Sequence, residues 1–263
     1  MTTLGLPHGV RGCLFDLDGV LTRTAVVHAA AWKEMFDEFL RRREGADFRP
    51  FDPVGEYDRY VDGRPRADGV RTFLAARGIE LPDGDPEDPP GRDTVNGLGN
   101  RKNALLLEKL RTQGVEVYDG SVRYVRAVRQ AGLRTAVVTS SANCGQILRS
   151  AGMADWFEAR IDGVVAAERG LAGKPQPDTF LAAARELGLT AAESAVFEDA
   201  LAGMDAGHAG HFRFVVGVDR TGQAEALRSH GAHRVVRDLA ELLGPDADLS
   251  GGTGGRRGKE ARS

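Results

Sequence analysis

Cys13-Leu14-Phe15-Asp16-Leu17-Asp18-Gly19 is the stretch whose reading decides the fold of this chain. Asp16 and Asp18 stand two residues apart at the end of an apolar run, and a glycine follows them. Two acids this close repel each other, so a fold that keeps both ionised has a cation or a transferring proton to manage. A buried strand ending in a charged, glycine-marked turn is where α/β proteins place their chemistry. The same residues also suit an ordinary acidic strand-to-loop turn, and the rest of the chain has to separate the two readings.

Downstream, a helical pattern runs from Val26 to Arg43, with Val27, Ala30, Ala31, Phe36, Phe39 and Leu40 at helical spacing. A looser region, Glu44 to Asp62, leads to a short helix from Ala67 to Ala76 that stops at Gly78. Leu81 to Arg92 is rich in Pro, Asp and Gly and reads as a loop too polar to pack by itself. A further helix is expected from Asn100 to Gln113. Residues 26–110 therefore read as a helical insertion, flanked by a core of 9–25 and 111–243. From Tyr118 onward, short apolar strands alternate with helices. Strands are expected at Thr135–Thr139, Ile161–Val165, Ala195–Phe197, Phe214–Val218 and Arg234–Val236, with helices at Ser121–Gln130, Asn143–Ala151 and Pro177–Leu187. That alternation implies βαβ units and a mainly parallel sheet. The Gly- and Arg-rich segment 244–263 has almost nothing apolar and reads as a disordered tail.

With 263 residues, 41% of them hydrophobic, the chain can bury a substantial core. No apolar run is long enough to span a bilayer, and Met1 to Arg11 lacks the pattern of a secretory signal, so no membrane association is expected. Cys13 and Cys144 have no metal-ligand spacing, which suits reduced thiols in a cytoplasmic protein. The net charge of −3, with arginines interleaved among acids, argues against a nucleic-acid partner.

Right-handed crossovers bring every strand's C-terminal end to one edge of a parallel sheet. Asp16 and Asp18, Thr139 and Ser140, and Glu198 and Asp199 each follow an apolar strand, so they share one crevice, toward which Lys174 is aimed by the turn at Pro175. Four carboxylates in one pocket call for a hard cation, for which Mg²⁺ is the usual oxygen-ligated choice. Ser140 at a helix start, with Lys174, makes an anion site. A metal beside an anion site suggests phosphoryl transfer.

Asp16-Leu-Asp-Gly-Val-Leu-Thr22, the hydroxyl residue after the second strand, Gly173-Lys174-Pro175 with Pro177-Asp178, and Phe197-Glu198-Asp199 resemble the four ordered motifs of the haloacid dehalogenase superfamily. The likeness extends over nearly the whole chain to about residue 243. It implies a Rossmann-like parallel-sheet core with an inserted α-helical cap domain. It also implies that Asp16 is a nucleophile forming an aspartyl-phosphate, and that Asp18 is the general acid and base. Ser140 and Lys174 would hold the transferring phosphoryl group. Mg²⁺ would be bound by Asp16, the Asp18 main-chain carbonyl, Asp199 and Glu198.

The insertion resembles the cap of the β-phosphoglucomutase-like branch, with His28 and Trp32 in place and Thr24 where that branch has a hinge threonine. Asp62-Gly63-Arg64-Pro65-Arg66 resembles its cap loop, which implies that Gly63 and Arg66 meet substrate, Arg66 gripping the far phosphate, and that Ser141 and Asn143 bind on the core side. His28 and Trp32 also suit plain packing roles. Gly99-Asn100-Arg101-Lys102-Asn103 resembles another cap segment, in which Arg101 and Lys102 read first as a solvated face and second as ligand contacts. The chain departs from the branch at Arg23, where the branch has an acid, and at Asp62, where it has a lysine. It departs again at Ser141-Ala142-Asn143-Cys144, where the branch has a small residue followed by Ser-Lys-Asn. The resemblance implies a phosphorylated sugar as substrate, and a monomer is expected. Three activities stay open: conversion of β-glucose 1-phosphate to glucose 6-phosphate, hydrolysis of a sugar phosphate, and non-catalytic sensing of one.

Overall fold

The computed structural model describes residues 4–244. From Pro245 on, the segment expected to be a disordered tail lies outside the described residues. The apolar run at the start forms β1 (Gly12–Phe15), followed by the long helix α1 (Thr24–Glu44), a π-helical turn at Tyr57–Val61, α2 (Arg66–Ala76) and α3 (Val95–Gln113). The alternating part then gives α4 (Asp119–Gln130), β2 (Arg134–Val138), α5 (Cys144–Ser150), β3 (Ala159–Ile161), α6 (Gly163–Glu168), α7 (Asp178–Glu186) and β4 (Ser194–Glu198). It closes with α8 (Leu201–Ala209), β5 (Phe214–Val218), α9 (Ala224–Ser229) and β6 (Arg234–Val236).

The strands form one parallel sheet in the order β3-β2-β1-β4-β5-β6. The chain winds outward from β1 through β2 to β3, then crosses to β4 on the other side of β1. The strand order thus reverses between β1 and β4, and crevices open at such points, beyond the strands' C-terminal ends. Phe15 is in register with Phe197, so the residues after them, Asp16 and Glu198, emerge side by side.

Alternation along β1 sends Cys13 and Phe15 to one face and Leu14 to the other. Phe15 stacks on Phe197 at 4.5 Å between ring centres, and Tyr124 from α4 meets both rings. On the opposite face Leu14 joins Phe180, Val196 and Met204. The core on the Phe15 face continues into the helices between β1 and α4, where Phe36 lies against Trp32, Phe51 and Phe73, with ring centres 5.2, 5.2 and 4.0 Å away.

Three expectations change. The strand expected at Ile161–Val165 ends at Ile161, and a helix starts at Gly163 because the Asp162 carboxylate accepts the amides of Val164 and Val165. The helix expected from Asn100 begins at Val95, capped by the Thr94 hydroxyl, which accepts the Gly97 amide at 2.9 Å. Gly97 and Gly99 weaken its signal in the sequence, yet both are packing glycines: a side chain on Gly97 would run into the Arg92 carbonyl, and Gly99 abuts the Arg66 side chain. The polar loop before that helix does pack, since the buried Asp88 accepts from Thr94 at 2.7 Å, Arg92 at 2.8 Å and the Asp85 amide at 3.1 Å. Among the described residues no helix is long and apolar enough to cross a membrane.

Phe36 has no exposed surface, so Phe36→Ala leaves a void among three aromatic rings. The expected loss is about 3–5 kcal/mol. Urea unfolding followed by tryptophan fluorescence measures it, and a loss under about 1 kcal/mol would contradict this packing.

Candidate active site

At the reversal point the Lys174 ammonium lies 2.5 Å from Asp16 Oδ1, 2.7 Å from Glu198 Oε2 and 3.3 Å from the Val138 carbonyl. One buried cation, 2% exposed, thus ties the ends of β1, β2 and β4. Burial alone would lower its pKa, and the two carboxylates outweigh that and raise it. Lys174 stands behind the cavity, and Asp16, Glu198 and Asp199 face into it.

Each of those three buried acids offers a carboxylate oxygen within 4.8 Å of the other two. Burial pushes the Asp16 carboxyl well above the usual range, and repulsion from Glu198 adds to it. Asp199 is raised in the same way, by burial and then by Asp62 and Glu198. Three buried acids share one ammonium, which leaves a charge deficit that a hard, oxygen-ligated cation fits. Glycine at position 19, with φ +87°, is required for this approach: a Cβ there would collide with the Asp199 carboxylate.

The Asp18 side chain turns away from that trio. One of its oxygens accepts from the Thr24 hydroxyl, and the other lies 3.3 Å from the Thr139 hydroxyl. His28 Nε2 stands 3.5 Å from Asp18 Oδ1, with no hydrogen-bond partner of its own. Behind it, the Lys102 ammonium meets His28 Nδ1 at 3.0 Å. As an ammonium, Lys102 only donates, so Nδ1 accepts and the ring proton sits on Nε2, toward Asp18 and the cavity. Burial, then Lys102, lowers the His28 pKa to about 4, so the ring is neutral at pH 7.

Lys102 corrects the expectation of a solvated face. It is 4% exposed, stands 4.9 Å over the Trp32 ring, and lines the cavity. The signal for this is in the sequence: Leu98, Leu105 and Leu106 lie at i−4, i+3 and i+4 from it, so Lys102 interrupts an apolar stripe. Arg101, on another face of the helix, pairs with Glu38 at 3.0 Å.

The remaining candidates line the same cavity, of about 500 Å³. The Ser140 hydroxyl donates to the Gly63 carbonyl at 2.7 Å, joining the sheet edge to the loop before α2. The Ser141 amide donates to Thr139 Oγ1, and the Ser141 hydroxyl accepts the Asn143 amide. Asn143 reaches Asn103 on α3 at 2.9 Å, a second tie across the cavity. Arg66, at the start of α2, donates to Asn100 at 3.3 Å. Trp32 stacks on Phe36 and presents one side to Lys102. Tyr57 lines the site without having been singled out as a candidate, Lys102 and Asn103 entered only within a resembling cap segment, Asp62 only as a departure, and Thr139 only as a hydroxyl beside Ser140.

The family model for haloacid dehalogenase-like hydrolases matches residues 10–211, and the chain belongs to that family. It is 56% identical over 246 residues to the β-phosphoglucomutase of Mycobacterium bovis, covering 91% of this chain and 94% of that protein. The β-phosphoglucomutase of Bacillus subtilis is 30% identical, with 89% and 92% covered. Among solved structures, the β-phosphoglucomutase of Clostridium difficile shares the fold with a TM-score of 0.71 at 22% identity, over 89% of this chain and 93% of that one. A hydrolase from Pseudomonas syringae does so with a TM-score of 0.72 at 23% identity, over 88% and 95%.

Burial, acting more strongly than the nearby Asp18, lowers the Lys102 pKa to about 7. An unfolded lysine titrates near ~10.4, so between those values the unfolded chain binds more protons than the folded one. Stability at this site therefore rises with pH from about 7 toward ~10. Lys102→Met is expected to flatten that rise in urea midpoints taken at pH 7, 8 and 9. An unchanged slope would contradict the burial of the ammonium.

Proposed function

We propose that this enzyme is a Mg²⁺-dependent β-phosphoglucomutase, converting β-glucose 1-phosphate to glucose 6-phosphate through a phosphorylated Asp16. The observation that carries the reading is the split of the two acids: Asp16 is locked to Lys174 beside Glu198 and Asp199, and Asp18 is turned to Thr24 and the cavity. The 56% identity to a β-phosphoglucomutase over 91% of the chain supports the choice of sugar. In this reading residues 26–110 are a cap over the core of 9–25 and 111–243.

Asp16, Glu198, Asp199 and the Asp18 main-chain carbonyl would hold the Mg²⁺, whose charge, when bound, offsets the carboxylates and the negative charge of the phosphoryl oxygens. Lys174 occupies Asp16 Oδ1, which leaves Oδ2 as the oxygen that carries the phosphoryl group. Starting from phosphorylated Asp16, the sugar's 6-hydroxyl attacks phosphorus, Asp18 takes the hydroxyl proton, and the Asp16–phosphoryl bond breaks. The sugar bisphosphate then turns end for end. Asp16 attacks the phosphorus at C1, the P–O1 bond breaks, and Asp18 returns its proton to O1, giving glucose 6-phosphate and phosphorylated Asp16. Thr24 and the neutral His28 position the Asp18 carboxyl for both transfers. Ser140 works on the transferring group while Lys174, behind the cavity, holds the Asp16 carboxylate in place, and Arg66 with Lys102 holds the far phosphate. Trp32, Gly63, Ser141 and Asn143 complete the wall around the sugar.

Hydrolysis has one observation in its favour: Ser141-Ala142-Asn143 after Ser140 carries no cation to grip a second phosphate on the core side. A product assay separates the two. Enzyme, Mg²⁺, β-glucose 1-phosphate and a trace of glucose 1,6-bisphosphate are expected to yield glucose 6-phosphate with little free phosphate. Phosphate release without glucose 6-phosphate would sink the mutase reading. Asp16→Asn is expected to cut turnover by roughly 10⁴-fold or more, and EDTA to abolish it.

A further inference from the structure

Asp62 has no part in the chemistry above, yet it lines the cavity. It lies between the π-helical turn and α2, and its backbone is fixed on both sides. Its amide donates to the Tyr57 carbonyl at 3.0 Å, and the next residue, Gly63, accepts from Ser140. Its side chain is fixed too. Asp62 Oδ1 accepts the Gly63 amide at 3.1 Å, and the buried Tyr57 hydroxyl faces the carboxylate as a donor. The fields of Glu198, Asp199 and Asp18 reach it from the sheet side, and that of Lys102 from the helical side. Among the described residues, no lysine or arginine forms an ion pair with it.

That position restricts what Asp62 can touch. A carboxylate repels a phosphate group, so Asp62 cannot grip either end of a doubly phosphorylated substrate. It stands between the acid cluster, where one phosphoryl group reacts, and the Lys102–Arg66 side, where the other would sit. The uncharged middle of a sugar phosphate is its ring of hydroxyls. Burial, with Asp58 and Glu198 nearby, pushes the Asp62 carboxyl up to about 7, so above that pH it is ionised, only accepts hydrogen bonds and offers roughly four acceptor sites. Gly63 and Tyr57 use two of them, which leaves about two for a group in the cavity that Asp62 lines. Two neighbouring acceptors on one rigid group match two neighbouring hydroxyls. A lysine here, as in the branch the sequence resembles, could offer only donors and would draw a phosphate inward.

We propose that Asp62 is a specificity-determining residue that accepts hydrogen bonds from adjacent ring hydroxyls of the sugar, with Tyr57 as its positioning residue. The inference rests on a sugar phosphate being the substrate, and it applies whether the phosphoryl group passes to sugar or to water. A site built to bond a hydroxyl discriminates steeply against the analogue that lacks it. The test uses β-glucose 1-phosphate and its 2-, 3- and 4-deoxy analogues, with glucose 6-phosphate-type product and free phosphate summed so that either acceptor counts. Wild type is expected to disfavour at least one analogue by about 100-fold in kcat/KM. Asp62→Ala and Asp62→Asn are expected to shrink that ratio to under about 10-fold, and Tyr57→Phe to shrink it partway. A ratio between two substrates on one variant is insensitive to how much of that variant is folded. Turnover of sugar phosphates with undiminished discrimination in both Asp62 variants would overturn the role of Asp62 alone. Failure of wild type to use any sugar phosphate would overturn the substrate reading as well, and the two failures are told apart by the wild-type assay.

Discussion

The fold depends on one buried cation shared by three strand ends. Lys174 comes from the loop between α6 and α7, yet its ammonium meets β1 at Asp16, β4 at Glu198 and β2 at the Val138 carbonyl. Removing one partner of such a set strands the others and costs about 3–5 kcal/mol. An apolar replacement of the whole set could stabilise the protein as well or better, so the set is poorly explained by stability alone. What it does achieve is placement. Asp16 is held by one oxygen with the other left facing the cavity, and Glu198 is held where Asp199 and Asp16 converge.

The second constraint lies where the chain leaves the sheet for the helices and returns. The outgoing segment at Thr22 pairs with the returning one at Val117, and Arg23 and Tyr118 extend the pairing through Glu116 and Leu21. The Tyr118 ring is met by two guanidinium groups, Arg220 at 3.5 Å and Arg23 at 4.6 Å from its centre. Arg220 also donates to the Gly19 carbonyl at 2.8 Å and to the Arg237 carbonyl at 2.6 Å. The turn that carries Asp18 is therefore also fixed from the loop after β5, on the same edge of the sheet. Arg23, a departure from the branch in sequence, has a physical use here, because an acid at that position could not stack on the tyrosine as a cation does.

Much of this was legible in the sequence because strand ends are. Apolar runs such as Thr135–Val138 and Ala195–Phe197 mark buried strands, and parallel topology alone brings the polar residues after them to one edge. The helical part was less legible because its signals conflict. Gly97 and Gly99 imitate a break while serving close packing, and Val164-Val165 imitates a strand until Asp162 caps a helix. Lys102 was hidden because charge suggests solvent, although its spacing among leucines places it inside. Asp88 shows the same effect in the loop: a polar composition can still fold compactly when one buried carboxylate gathers the local donors.

The choice between sugar and water as phosphoryl acceptor comes down to how the cavity is roofed. The roof meets the sheet edge through Ser140 and Gly63, through Asn143 and Asn103, and through Pro65 lying against Gly173. The two hydrogen bonds are each worth about 1 kcal/mol, so they do not by themselves hold the site shut. A substrate charged at both ends supplies what they lack. In the reading proposed above, one end would be drawn to the floor around Asp16 and the other to Lys102 and Arg66 on the roof, so such a molecule would bridge the two. Water has no charged end with which to do this. In that reading, bridging by the acceptor's own phosphate would set Asp18 opposite a sugar hydroxyl whenever the site is assembled, and so would favour transfer to sugar by geometry and not by any difference in the nucleophile's chemistry.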